Sequence, residues 1–274
     1  MKIEVDGDEI QVTTGGVVPG PAGPAMVLLH GAGMDSTAWH LQTRWLAHRG
    51  VRTYAVDLPG HGHSGGEPLG SIPELADWTV RFLDRAGLDG ASGPVHLAGH
   101  SMGTFVALEV AERHPDRVAS LTLLATAEGM PVHPELAAGA ADDLPRAAAL
   151  MASWGHGAVA QTDPNPTPGL SMVGGARALI EASPAGALAA DFAACAAYRR
   201  ATEAAAGVTC PVHLVVGLAD KMTPARSARA LAAAMAADRL TVTELPGIGH
   251  MLMEEAPAVV RRVLLAAATG PDRS

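Results

Sequence analysis

Short apolar runs alternate with longer amphipathic stretches along most of the chain. Residues 2–13 alternate apolar and polar positions (Ile3, Val5, Ile10, Val12) around Asp6-Gly7-Asp8, which predicts an antiparallel hairpin at a sheet edge. A Gly/Pro-rich connection runs from Gly15 to Pro24. Short strand-like segments then follow at 25–29, 51–56, 94–99, 117–124, 212–216 and 240–245. Those at 25–29, 94–99 and 117–124 suit parallel strands buried on both faces. Helical spacing fills the gaps between them. It covers 36–48 with Ser36 as N-cap, 71–87 through Ile72, Leu75, Trp78, Thr79 and Phe82, and 104–113 through Val106, Ala107, Val110 and Ala111. It returns from Pro224, near a first helical turn where proline is tolerated, to about Met235, and again over 254–267.

The alternation stops at Ala125. Residues 126–208 contain no convincing strand, only Ala-rich helical segments around 135–154 and 176–205 with a Pro/Gly-rich stretch at 162–169 between them. The pattern predicts an α/β fold with a mostly parallel central sheet flanked by helices. Its core comprises 1–125 and 209–274, and a helical cap at 126–208 is inserted above the sheet.

Composition narrows the picture. Over 274 residues, 48% are apolar but only 3% aromatic, so a sizeable core has to be aliphatic and alanine-rich. The net charge is −9 and no basic cluster stands out, which argues against nucleic acid or an anionic membrane surface as partner. The N-terminus lacks an apolar signal core, and no run of eighteen apolar residues exists. The two cysteines, Cys195 and Cys210, have no metal-ligand spacing. The expectation is a soluble cytoplasmic protein with free thiols, monomeric or homodimeric, with no metal or cofactor and a small-molecule substrate.

Candidate chemistry sits where the predicted strands end. Gly99-His100-Ser101-Met102-Gly103 matches G-x-S-x-G between a strand and a helix. The glycines are needed because β-carbons would collide where the turn brings strand and helix together. Such a turn lifts Ser101 above the sheet and leaves the Met102 amide at a helix N-terminus, able to stabilise an oxyanion. His30-Gly31-Ala32-Gly33 follows the 25–29 strand. The Ala32 amide is the choice for a second oxyanion donor, with Gly31 as the near alternative. Serine needs a base, and histidine titrates near working pH; a carboxylate on its other nitrogen fixes the tautomer. Asp220 and His250 each follow a strand, so Ser101, Asp220 and His250 fall on one sheet edge in that chain order. Glu128 is the alternative acid if Asp220 points away, and His213 and Asp238 are poorer by position. Asp57-Leu58-Pro59-Gly60-His61-Gly62-His63-Ser64 carries reactive residue types. It reads as a tight turn whose Asp side chain caps backbone amides rather than as catalytic.

With these motifs in this order between residues 25 and 268, the sequence resembles an α/β-hydrolase-fold protein of the lidded serine-hydrolase type. The resemblance implies Ser101 as nucleophile, His250 as base, Asp220 as orienting acid, and oxyanion amides at Ala32 and Met102. Ser at 101 separates the chain from haloalkane dehalogenases and epoxide hydrolases, which use a carboxylate nucleophile, and Ala32 breaks the lipase-type His-Gly-Gly-Gly. It implies hydrolysis of a carboxylic ester or lactone of a small to medium, partly apolar substrate. The rival readings are a carbon–carbon bond hydrolase, for which Arg177, Arg199 and Arg200 offer cations in the cap, and a ligand-binding receptor that keeps the triad. A perhydrolysis side activity is a further expectation of the scaffold. Gly31, His100, Met130, Met151, Trp154, Met172, Phe192 and Met251 are the expected pocket lining, methionine adapting to varied apolar shapes.

Overall fold

Asp6 and Gly7 both take positive φ (55° and 94°), the conformation a two-residue hairpin turn requires, and they join β1 (Lys2–Val5) to β2 (Asp8–Thr13). The computed structural model describes residues 1–20, 22–90, 93–162 and 171–270. Most of the Pro/Gly-rich stretch at 162–169 and most of the polar tail lie outside the described residues.

Six further strands complete the sheet: β3 (Ala25–Leu29), β4 (Arg52–Val56), β5 (Val95–His100), β6 (Val118–Leu124), β7 (Val212–Gly217) and β8 (Leu240–Leu245). Their order is β1-β2-β4-β3-β5-β6-β7-β8, antiparallel through β1, β2 and β4 and parallel from β4 onward. Every residue of β3 is buried, as its unalternating apolar run requires, and β4 is buried throughout as well, its Arg52 donating to the Gly23 carbonyl at 2.9 Å. Edge strand β8 instead exposes Thr241, Val242 and Glu244.

Helices α1 (His40–Ala47), α2 (Ile72–Arg85), α3 (Met102–Arg113), α10 (Ala225–Ala232), α11 (Leu252–Glu255) and α12 (Pro257–Thr269) flank this sheet. Ser71 caps α2 through Glu74, whose carboxylate accepts from the Ser71 hydroxyl in return. Helix α3 is buried from Met102 to Ala111, with Phe105 fully enclosed. Two expectations shift. The single helix at 36–48 begins as a 3₁₀ turn over Ser36–Trp39, and its N-cap is Asp35, which accepts from the Thr37 amide. Ser36 instead pairs with Thr13 across the sheet edge at 2.9 Å. The closing helix is broken at Ala256 into α11 and α12, because Pro257 cannot donate to a continuing ladder.

Between β6 and β7 the described residues form helices only: α4 (Pro134–Asp142), α5 (Leu144–Gly155), α6 (Ala158–Thr162), α7 (Met172–Glu181), α8 (Ala187–Ala197) and α9 (Ala201–Gly207). They pack on the loops at the carboxyl ends of the strands, where ligands of open α/β sheets bind.

Candidate active site

Ser101 links β5 to α3 with φ 51° and ψ −119°, a conformation L-residues rarely hold. Glycines on either side make it sterically possible. A β-carbon on Gly99 would lie 2.2 Å from the Gly103 carbonyl oxygen, and one on Gly103 would lie 2.5 Å from that of Leu29. Both obstacles are backbone, so neither yields by a rotamer change. Gly99→Ala is therefore expected to shift the turn or unfold the protein, seen as loss of soluble folded material or a large drop in Tm.

His250 follows β8 and is nearly buried, and its Nδ1 lies 2.8 Å from Asp220 Oδ2. Asp220, in the turn after β7, accepts from the Met222 and Thr223 amides at 2.8 and 2.9 Å and from the Thr223 hydroxyl at 2.7 Å. Burial opposes its charge, but the His250 ring beside it and these donors outweigh that and hold the carboxyl below its usual range. An ionised Asp220 fixes the His250 proton on Nδ1 and leaves Nε2 as the acceptor nitrogen. Ser101 and His250 line the same cavity, so the constellation can activate a hydroxyl for attack on a carbonyl.

Helix α5 reaches into this arrangement. Its last carbonyl, Gly155, accepts from the His250 and Met251 amides at 2.7 and 3.2 Å. From α11, Glu255 accepts from Gly249 at 3.0 Å and from Gly157 at 2.9 Å, tying the His250 loop to the segment between α5 and α6. Below the loop, His100 Nε2 donates to the His250 carbonyl at 3.0 Å. Burial, then the neighbouring His250, pushes His100 down to about 3, so it stays a neutral prop.

Ala32 also lines the cavity, and no acceptor for its amide or that of Met102 is found among the described residues. The Gly31 carbonyl is held by His30 Nδ1 at 2.9 Å and the Met34 amide at 3.2 Å. A trans peptide is planar, so fixing that carbonyl aims the Ala32 N–H the opposite way. Gly31 itself lies against the turn: a β-carbon there would come within 2.8 Å of His100 Nδ1 and 3.2 Å of Ser101 Cβ.

The cavity measures about 710 Å³ and is walled by Met130, Val132, Leu136, Trp154, Phe192 and Met222, with Lys221 and Arg226 at its exposed margin. Of the expected lining, Met130, Trp154 and Phe192 are present. Met151 of α5 and Met251 are packed into the buried core instead, and Met172, at the start of α7, does not line the cavity. Gly31 and His100 lie under the lining surface because the Ser101 turn and the His250 loop cover them. Glu128 lines the cavity rather than approaching His250 Nδ1, which Asp220 occupies. His213 pairs with Thr243 at 2.8 Å, away from the site. Cys195 is buried in the wall, and desolvation raises its thiol, so it is no ready nucleophile.

The three arginines that the sequence offered as cations in the inserted segment are otherwise engaged. Arg177 pairs with Glu181, Arg200 with Glu109, and Arg199 with backbone carbonyls, and none lines the cavity. Asp57 caps the Ser36 and His63 amides, each at 2.8 Å, as its turn suggested. His61 sits in the same turn, fully buried, and is bonded to Asp191 of α8. Among the described residues no group of three His, Cys, Asp or Glu side chains converges as a metal site, and no helix is long and apolar enough to cross a membrane.

The sequence model of the alpha/beta hydrolase family matches residues 26–263. Over 102 residues the chain is 45% identical to a pimeloyl-[acyl-carrier protein] methyl ester esterase of Methylococcus capsulatus, a match spanning 37% of each chain. The chain thus spans little more than a third of that curated relative's length. The fold is similar to that of an enol-lactonase from Burkholderia xenovorans LB400, with a TM-score of 0.85 at 22% identity over 98% of this chain and 100% of that one. It is also similar to a thermophilic esterase from Thermogutta terrifontis, with a TM-score of 0.80 at 24% identity over 98% and 99% of the two chains.

Proposed function

We propose that this chain, which belongs to the alpha/beta hydrolase family, is a serine hydrolase acting on a carboxylic ester or lactone of small to medium size. The observation that carries the reading is the buried Asp220–His250 pair, 2.8 Å long, whose histidine shares a cavity with a strained Ser101 and with Ala32, the Ala32 and Met102 amides having no acceptor among the described residues. Esterase and lactonase names among its relatives support the reaction class. In this account the His250 Nε2 takes the Ser101 proton as the hydroxyl oxygen attacks the carbonyl carbon. The Ala32 and Met102 amides hold the oxyanion. His250 returns the proton to the leaving alkoxide, then activates water to hydrolyse the acyl-enzyme. The chemistry needs no metal or cofactor. For a lactone the alcohol stays attached to the acyl group until water releases the hydroxy acid.

The mostly apolar wall suits an alkyl or alicyclic body. Lys221 and Arg226 stand at its margin without an ion-pair partner among the described residues, which favours a substrate with a carboxylate at its far end. The same pair supports, as a second reading, carbon–carbon bond hydrolysis of an acidic dienol substrate, with the cations supplied by the turn after β7 and the start of α10 instead of the inserted helices. The test is turnover of p-nitrophenyl esters of rising chain length, lactones, and a half-ester of a dicarboxylic acid beside its neutral isostere. The half-ester is expected to have the lower KM, and Lys221→Ala with Arg226→Ala should raise that KM about tenfold while leaving the neutral ester within twofold. Equal loss for both esters contradicts the carboxylate assignment. Rapid labelling of Ser101 with negligible turnover of every class would instead assign a ligand-binding role.

A further inference from the structure

Asp191 is the lone charge in the Ala-rich helix α8, and it is 1% exposed. One of its oxygens, Oδ2, accepts from the Gly33 amide at 2.8 Å and from His61 Nε2 at 2.9 Å. The other ring nitrogen of His61 lies 2.9 Å from the Pro59 carbonyl, which can only accept. Both ring nitrogens of His61 therefore face acceptors, an arrangement met by an imidazolium donating twice to a carbonyl and a carboxylate. Burial disfavours that charge, but Asp191 and the Pro59 carbonyl outweigh it and raise His61 above the usual histidine value. Other titratable neighbours are Asp57 and His30 beside His61 and the thiol of Cys195 beside Asp191; burial, then His61, pushes His30 down to about 4, so it remains neutral.

The clasp bears on Ala32 directly. The Gly31 carbonyl, before Ala32, is fixed by His30 and Met34, and the Gly33 amide, after it, is fixed by Asp191. Both peptide units flanking the Ala32 α-carbon are thereby oriented. Helix α8 also presses on the loop from above, since a β-carbon on Gly33 would lie 2.7 Å from Leu188 Cδ1. The neutral Asn cannot replace Asp191 in full. If its oxygen accepts from both donors, His61 must be neutral on Nδ1 and its lone pair then opposes the Pro59 carbonyl. If its NH₂ meets His61, the Gly33 amide loses its acceptor.

We propose that Asp191, supplied by the inserted helices, is a positioning residue that acts through a charged pair with His61 to hold the Gly31–Gly33 loop with its Ala32 amide aimed at the oxyanion. The role of Ala32 rests on the hydrolase reading; the clasp itself does not. On this account the inserted helices complete the oxyanion site as well as covering it.

The experiment compares wild type, Asp191→Asn, and the neutral pair Asp191→Asn with His61→Gln. Loss of one oxyanion donor commonly costs about 10²–10³ in kcat, so misaiming one should cost about 10–100-fold. Asp191→Asn is expected to lower kcat for a p-nitrophenyl ester by that factor with KM within twofold, and to slow fluorophosphonate labelling in proportion. The neutral pair removes any uncompensated buried charge, so its Tm should recover toward wild type while kcat stays about tenfold down, because a neutral acceptor holds the Gly33 amide less firmly. Amide hydrogen exchange at Gly33, which needs no turnover, should be protected in wild type and faster in both variants. Folded variants with kcat within twofold of wild type, or a Gly33 amide exchanging freely in wild type, overturn the proposal. Failure of wild type to label or turn over, with Gly33 protected and released as expected, strikes the hydrolase reading and leaves the clasp standing.

Discussion

Ser101→Ala is expected to abolish ester turnover, by about a millionfold in kcat, while the protein folds as before. Loss of the nucleophile alone commonly costs about as much as loss of a whole triad. The side chain removed is small, and the strain at this position lies in the backbone, with φ 51°. Alanine holds that backbone no better and no worse than serine does, so Tm should move by only a few degrees. Steady-state hydrolysis beside a thermal melt checks both parts. Residual turnover above about a thousandth of wild type would place the nucleophile elsewhere.

The second large effect concerns the orienting acid. Asp220→Asn is expected to lower kcat about ten-thousandfold with KM little changed, because an amide can present its NH₂ to His250 Nδ1 and stabilise the wrong tautomer. The loss should also appear in stability. Asp220 is held below the usual carboxylate range in the folded protein, so its charge contributes stability at neutral pH, above the unfolded value. That contribution disappears as pH falls through the folded value. The wild type should therefore lose Tm toward acid pH, and Asp220→Asn should lose less over the same window. Glu128 makes a clear alternative outcome: were it the working acid, Glu128→Gln and not Asp220→Asn would carry the defect.

Local pattern made the core legible. Apolar runs marked the central parallel strands such as β3 and β6, and glycines near strand ends marked where backbone passes close to backbone. Gly99 and Gly103 meet backbone oxygens, as the tight turn required. The inserted helices were legible as helices but not as partners. Asp191 lies 130 residues from His61 and 158 from Gly33, and no local period links them. The only hint was a single carboxylate inside ALAADFAACAA, a residue type seldom buried without a partner. The pocket methionines were harder still. Methionine suits both cavity walls and packed cores, and only tertiary placement put Met130 in the wall and Met151 and Met251 in the core. Lys221 lies in the turn that carries Asp220 and Arg226 in the first turn of α10, both outside the inserted segment whose arginines the sequence offered as cations.

The central claim is that Ser101 is an activated nucleophile, and covalent labelling of the wild type tests it most directly. A fluorophosphonate should add once per chain, with the adduct mapped by mass spectrometry to the peptide carrying Ser101, and Ser101→Ala should take up none. Folded wild type that stays unlabelled, or carries its adduct on another residue, contradicts the account.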